Sequence, residues 1–202
     1  MIPTANTYNF IKSMFSQKGY IFKEDNEFVN IFGYRSKDLA TVDHFNDLLG
    51  IAYKDIYGNN QCLIFPGTTK PGLYYLKEEL GNSEGTFIMA AGQYLNCWAP
   101  GLHNGKYLAL IQSAPNVFKG WRDKNSDGKF DMTGPLFSDT AGIDFHTVRT
   151  DSDVNDVVYN ASSGCQVVKD GHNFEAALNL ILRGLYTLKL KNTNYTLFQE
   201  VV

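Results

Sequence analysis

The most reactive group this sequence offers is a thiol that directly follows a glycine. Cys165 stands in Ser162-Ser163-Gly164-Cys165-Gln166-Val167-Val168. The glycine leaves room around the sulfur, and the backbone amides of Gly164 and Cys165 can point at a carbonyl oxygen as it gains charge. A free thiol is only a few per cent thiolate near neutral pH, so it needs a base within hydrogen-bond reach. The nearest upstream imidazole is His146, in Gly142-Ile143-Asp144-Phe145-His146-Thr147. Apolar and polar residues alternate there as in a strand. Two adjacent strands joined by a long loop would bring base and nucleophile together for acyl transfer. Buried cysteine is also a good small hydrophobe, so the residues alone leave a structural reading of Cys165 open. Cys62 and Cys97 fall within apolar strand patterns and read as core.

Other groups could serve the same cleft. His103 follows Pro100-Gly101-Leu102 and either binds substrate or is a loop histidine without a role. Arg149 could take a substrate carboxylate through two parallel hydrogen bonds. Asp151, Asp153 and Asp156 either raise the basicity of the imidazole or attract an amine, or they form a solvated loop face. Elsewhere, Asp123, Asn125, Asp127 and Asp131 sit at the first, third, fifth and ninth positions of a loop with Gly128 at the sixth. That is the start of a calcium loop. The twelfth position is Gly134 instead of glutamate, so Ca2+ would bind weakly unless Asp139 or Asp144 completed the shell. An Asx-rich turn needs no ion and accounts for the same residues. No zinc spacing is present.

Which elements must position these groups? The 202 residues suit one domain, with 44% hydrophobic and 19% charged residues. The net charge of −3 gives no reason to expect nucleic acid or an anionic membrane as partner. No apolar run is long enough for a transmembrane helix. The N-terminal stretch lacks a basic region followed by a long apolar one, so no secretory signal is expected. Helical spacing of Tyr8, Ile11, Met14 and Phe15 predicts a helix over 4–17, and a second runs from about 173 to 189. Strand-like runs at 28–34, 48–57, 61–65, 86–91, 93–98, 107–113, 117–121 and 195–201 predict a mainly β chain with flanking helices. Their close spacing points to a β-sandwich or a curled sheet. The segment 66–72, rich in Pro and Gly, reads as a turn.

His146, fifteen residues, then Ser162-x-Gly164-Cys165 resembles the active-site signature of L,D-transpeptidases. The resemblance implies a single-domain β-sandwich, with 1–44 as an N-terminal extension and 45–202 as the catalytic core. It makes Cys165 the acyl-accepting nucleophile, His146 its base and Thr147 the residue that orients the imidazole. The substrate it implies is the stem peptide of peptidoglycan. The expected substrate contacts are Ser162 and Ser163 in the signature, with His103 and Arg149 as candidates from the residues alone; the resemblance does not decide Arg149. The chain departs from that family at two positions that help bind the donor stem: Ser163 replaces a usual histidine, and Val167 a usual arginine or asparagine. A longer pattern is similar to a set of phage and Bacteroidetes proteins: Thr68-Thr69-Lys70-Pro71-Gly72, Gly92-Gln93-Tyr94, Gly101-Leu102-His103, Ala109–Gln112, Trp121–Asp127 and the Cys165 segment.

Two functions are expected from this. The first is a cysteine acyl-transfer enzyme needing no cofactor, with hydrolysis favoured over cross-linking, belonging to a phage virion or host cytoplasm and acting at the bacterial wall. The second is a non-catalytic virion or wall-binding module that keeps the fold.

Overall fold

Along the first strand, β1 (Val29–Arg35), Val29 and Ile31 are buried on one face and Phe32 on the other, so the strand needs cover on both sides. The computed structural model, which describes residues 5–80, 82–115, 117–139, 142–148 and 156–199, supplies it in two ways. On one side lies helix α1 (Ala5–Gln17), whose Tyr8, Ile11 and Phe15 pack with Phe32, Ala52, Cys62 and Phe198. On the other side the strands curl round a common core that includes Ile31, Leu49, Ile51, Phe65, Trp98, Phe145, Tyr195 and Leu197.

These strands are β2 (Asp47–Lys54), β3 (Asn60–Thr68), β5 (Gly92–His103), β6 (Tyr107–Gln112), β9 (Phe145–Thr147), β10 (Gln166–Val168) and β11 (Thr193–Gln199). With β1 they form a closed barrel in the order β1-β11-β5-β6-β9-β10-β3-β2. The remaining strands, β4 (Thr86–Met89), β7 (Phe118–Asp123) and β8 (Phe137–Asp139), make a separate three-stranded sheet in the order β4-β7-β8.

The barrel corrects the expected β-sandwich. The chain is mainly β, as its strand runs indicate, but β1 and β11 pair in parallel, Ile31 beside Tyr195 and Gly33 beside Leu197. That pairing joins the two edges a sandwich would leave open. It links opposite ends of the chain and leaves no mark in local strand spacing. Strand β5 is twice the expected run, and the short helix α2 (Leu73–Lys77) and strand β8 carry too few residues to show a period.

The long helix α3 (Gly171–Thr187) turns Phe174, Ala177, Leu178, Ile181 and Leu185 into the barrel core. It lies against β1, β9 and β10. Its start is fixed by Asp170, whose carboxylate accepts the Asn173 N–H at 2.8 Å, a cap contributing about 1 kcal/mol. No described helix is long and apolar enough to cross a membrane.

At the centre Trp98 packs on Phe118, Phe145 and Tyr195, and its Nε1–H donates to the Ile143 carbonyl at 2.7 Å. Core packing and placement of the strand that carries His146 therefore meet in one side chain. Trp98→Phe keeps an aromatic ring but leaves that buried carbonyl without its donor. The variant should be less stable by about 1–3 kcal/mol in urea unfolding. An unchanged urea midpoint would show that the indole bond holds nothing in place.

Candidate active site

Strands β9 and β10 run parallel, with Val167 beside His146 and Gln166 beside Phe145. Cys165, one residue before β10, thereby comes level with Asp144. Its Sγ accepts the Asp144 N–H at 3.4 Å and donates to the Gly142 carbonyl at 3.6 Å. Burial, helped by the Asp144 carboxylate, pushes the thiol up to about 12.

His146 is also buried. Its Nδ1 lies 2.9 Å from the Thr147 carbonyl and 3.0 Å from Tyr107 Oη, while the Tyr107 hydroxyl donates to the same carbonyl at 2.8 Å. A carbonyl can only accept, so the proton belongs on Nδ1 and the lone pair on Nε2. Nε2 is buried with no partner among the described residues. Burial, helped by neighbouring His103, pulls the imidazole down to about 4. At neutral pH the pair is therefore a neutral thiol and a neutral imidazole. No hydrogen bond joins Sγ to Nε2.

His103 is not a loop histidine without contacts. Its ring stacks on His146 with centroids 4.0 Å apart and planes 16° from parallel. Its Nδ1 meets Asp144 Oδ2 at 2.8 Å, and its Nε2 meets the Asn104 side-chain amide at 3.0 Å. Asp144 Oδ1 accepts the Gln112 N–H at 3.0 Å, and the Asp144 carbonyl accepts the Gln166 N–H at 2.9 Å.

The turn before the thiol is held by Ser162. Its buried hydroxyl donates to the Cys165 carbonyl at 2.9 Å and accepts the Gly164 N–H at 3.1 Å. Of the two amides expected to hold an oxyanion, Gly164's is thus already committed, and the Ser162 hydroxyl staples the turn. Cys165 N–H has no acceptor among the described residues. Gly164 has φ of 128°, open to glycine and strained for other residues, and a Cβ there would lie 2.5 Å from the Phe87 carbonyl oxygen. Ser163 is half-buried in the same turn. Val167 is fully buried beside Thr68 and His146, so that position offers a substrate nothing polar.

Behind the turn, the segment read as Pro/Gly punctuation is a charged structural anchor. Asp47 accepts from Lys70 Nζ at 3.0 Å and from the Thr69 N–H and hydroxyl at 2.8 and 2.7 Å. Arg35 donates to Thr69 Oγ1 and to its carbonyl. All four residues are buried. The segment then reaches the turn through the Gly72 N–H on the Ser162 carbonyl at 2.9 Å.

The other expected residues are not brought to this cluster among the described residues. Arg149, Asp151 and Asp153 fall outside the described residues. Asp156 is exposed and pairs with Lys169. In the 123–131 loop, Asp123 is buried and accepts the Asn125 and Asp131 N–H groups, Asn125 accepts that of Asp127, and Asp127 that of Lys129. Asp131 caps Thr133. These Asx turns close the loop by themselves. Asp144 is committed to the His103 cluster, and the Asp139 side chain lies outside the described residues. Among the described residues no three His, Cys, Asp or Glu side chains gather as an ion would require.

No protein-family model, curated protein or solved structure matches this chain. The likeness to L,D-transpeptidases is therefore one of motif.

The residues that sequence reading did not assign to this cluster are Asp144, named above only as a possible calcium ligand, Tyr107, Gln112 and Gln166. Asp144 had a signal, since residues two apart on a strand share a face. Tyr107 had one too. Asn104-Gly105, with φ of 49 and 69°, marks a tight hairpin that sets His103 opposite Tyr107.

The depressed His146 makes stability pH-dependent in a stated direction. Between the ordinary imidazole value of 6.5 and about 4 the unfolded chain binds the proton and the folded one does not. The stabilisation is complete above 6.5 and is lost as pH falls through about 4. It amounts to roughly 3 kcal/mol. Urea titrations should show wild type losing about that much more than His146→Gln between pH 6.5 and 4. Parallel curves would contradict a neutral buried imidazole.

Proposed function

We propose that this protein is a cysteine acyl-transfer enzyme that cleaves peptidoglycan stem peptides. The observation that carries the reading is the His146 ring: Nδ1 is tied to Thr147 and Tyr107, and a buried lone pair on Nε2 is left unused next to the strand that delivers Cys165. A buried polar atom without a partner carries a cost that a proton-transfer role explains. The substrate assignment rests on the motif His146…Ser162-x-Gly164-Cys165.

In this reading the thiol leaves the Gly142 carbonyl and turns to the substrate. Burial holds the imidazole low, at about 4, and the thiol high, at about 12, so a preformed thiolate–imidazolium pair is strongly disfavoured. The proton therefore moves as the bond forms. Sγ bonds to the amide carbon, its proton passes to Nε2, and the carbonyl electron pair collects on oxygen beside the Cys165 N–H. Collapse breaks the C–N bond, and the leaving amine takes the proton from His146. The thioester then passes to water, with His146 again as base. We assign water over an amine because water needs no second binding site. No step requires a cofactor. Action from a phage virion at the bacterial wall suits this activity.

A second reading, a non-catalytic virion or wall-binding module, has one observation in its favour: Sγ is bonded to Gly142 and not to His146. Digestion of purified sacculi separates the two. Wild type should release new muropeptides identifiable by mass spectrometry, Cys165→Ala should release none, and the acid limb of the activity should lie near pH 4. Silence from both proteins on several peptidoglycan chemotypes would leave the binding module.

A further inference from the structure

Gln166 immediately follows the nucleophile, and its side chain is fully buried. Its Oε1 accepts the Tyr195 hydroxyl at 2.7 Å, and its Nε2 donates to the Gly164 carbonyl at 3.1 Å. That carbonyl belongs to the peptide unit whose N–H is Cys165's. In a planar trans peptide the C=O and N–H point in opposite directions. Drawing the Gly164 oxygen toward Gln166 therefore turns the Cys165 N–H away from it. Of the two amides that flank the thiol's glycine, Gly164's is taken by Ser162, and Cys165's has no acceptor among the described residues.

We propose that Gln166, held by Tyr195, is a positioning residue that aims the Cys165 backbone N–H at the oxyanion of the substrate. The proposal rests on the acyl-transfer reading above. The side-chain amide is locked in one orientation. Reversed, it would set Oε1 against the Gly164 oxygen and lose that bond. Tyr195 reaches Gln166 across the barrel because Gly33 has no side chain: a Cβ there would lie 2.1 Å from the tyrosine oxygen. Strands β1, β11 and β10 thus converge on one peptide unit. Glycine at 164 permits the backbone angle this requires.

The test separates reactions that develop an oxyanion from one that does not. With p-nitrophenyl acetate, Sγ bonds to the acetyl carbon, the carbonyl electrons pass to oxygen, and collapse expels p-nitrophenolate. The thiol proton goes to His146 and then to solvent. With iodoacetamide, Sγ displaces iodide at a saturated carbon, and no oxyanion forms. Gln166→Leu and Tyr195→Phe should slow acetylation of Cys165 roughly 100-fold while changing alkylation less than about threefold. If Gln166→Leu fails to fold, Tyr195→Phe, which removes a single oxygen, carries the comparison. Three results would overturn the proposal: acetylation unchanged in the variants, both reactions slowed equally, or wild type acetylated no faster than Cys165→Ala. Intact sacculi together with Gln166-dependent acetylation would instead remove the peptidoglycan assignment and leave the positioning role standing.

Discussion

Asp144 is bound on every side, and the geometry of the site follows from that. Its carboxylate receives the Gln112 amide from the end of β6 and His103 from the end of β5. Its N–H holds the Cys165 sulfur, and its carbonyl receives the Gln166 amide. A carboxylate this deeply buried is tolerated only when its lone pairs are filled. Filling them fixes three strands of the barrel relative to one another around the thiol. The preceding residue is held as firmly, with Ile143 N–H on Gln112 Oε1 and its carbonyl on Trp98.

The same constraint sets the resting chemistry. Burying thiol and imidazole favours the neutral form of each, and the Asp144 charge opposes a thiolate directly. In the proposed acyl transfer, reactivity comes from the developing charge of the reaction and a fixed donor, not from a thiolate present beforehand. The direction of one turn is held by several contacts. Ser162 closes it from within, Gln166 holds its carbonyl, and the Arg35–Asp47–Lys70 network anchors the neighbouring segment that bonds to it. Replacing a single member of such a buried charged network leaves its partners unpaired, which costs more than the intact network contributes.

The sequence shows part of this and conceals part for physical reasons. Both long helices and most strands follow from local periodicity, which is a property of neighbouring residues. Barrel closure is a pairing of β1 with β11 across almost the whole chain, and no local pattern encodes it. The thiol and imidazole can be found from their chemistry alone. Which amide remains open for an oxyanion cannot, because that depends on where Ser162 Oγ turns. Asp144 and the Asn104-Gly105 hairpin were readable from strand alternation and turn chemistry. Gln166 has no such signal: its role exists only once Tyr195 and the Gly164 carbonyl meet it from either side.

The claim beneath all of this is that Cys165 carries the acyl group of a stem peptide. Intact-protein mass spectrometry tests it most directly, on wild type mixed with a disaccharide-tetrapeptide and quenched in acid within one turnover. The account predicts a mass increase equal to the transferred acyl portion, mapped to Cys165, and none in His146→Ala. Protein that stays unmodified at every quench time, with tetrapeptides of several chemotypes, would contradict it.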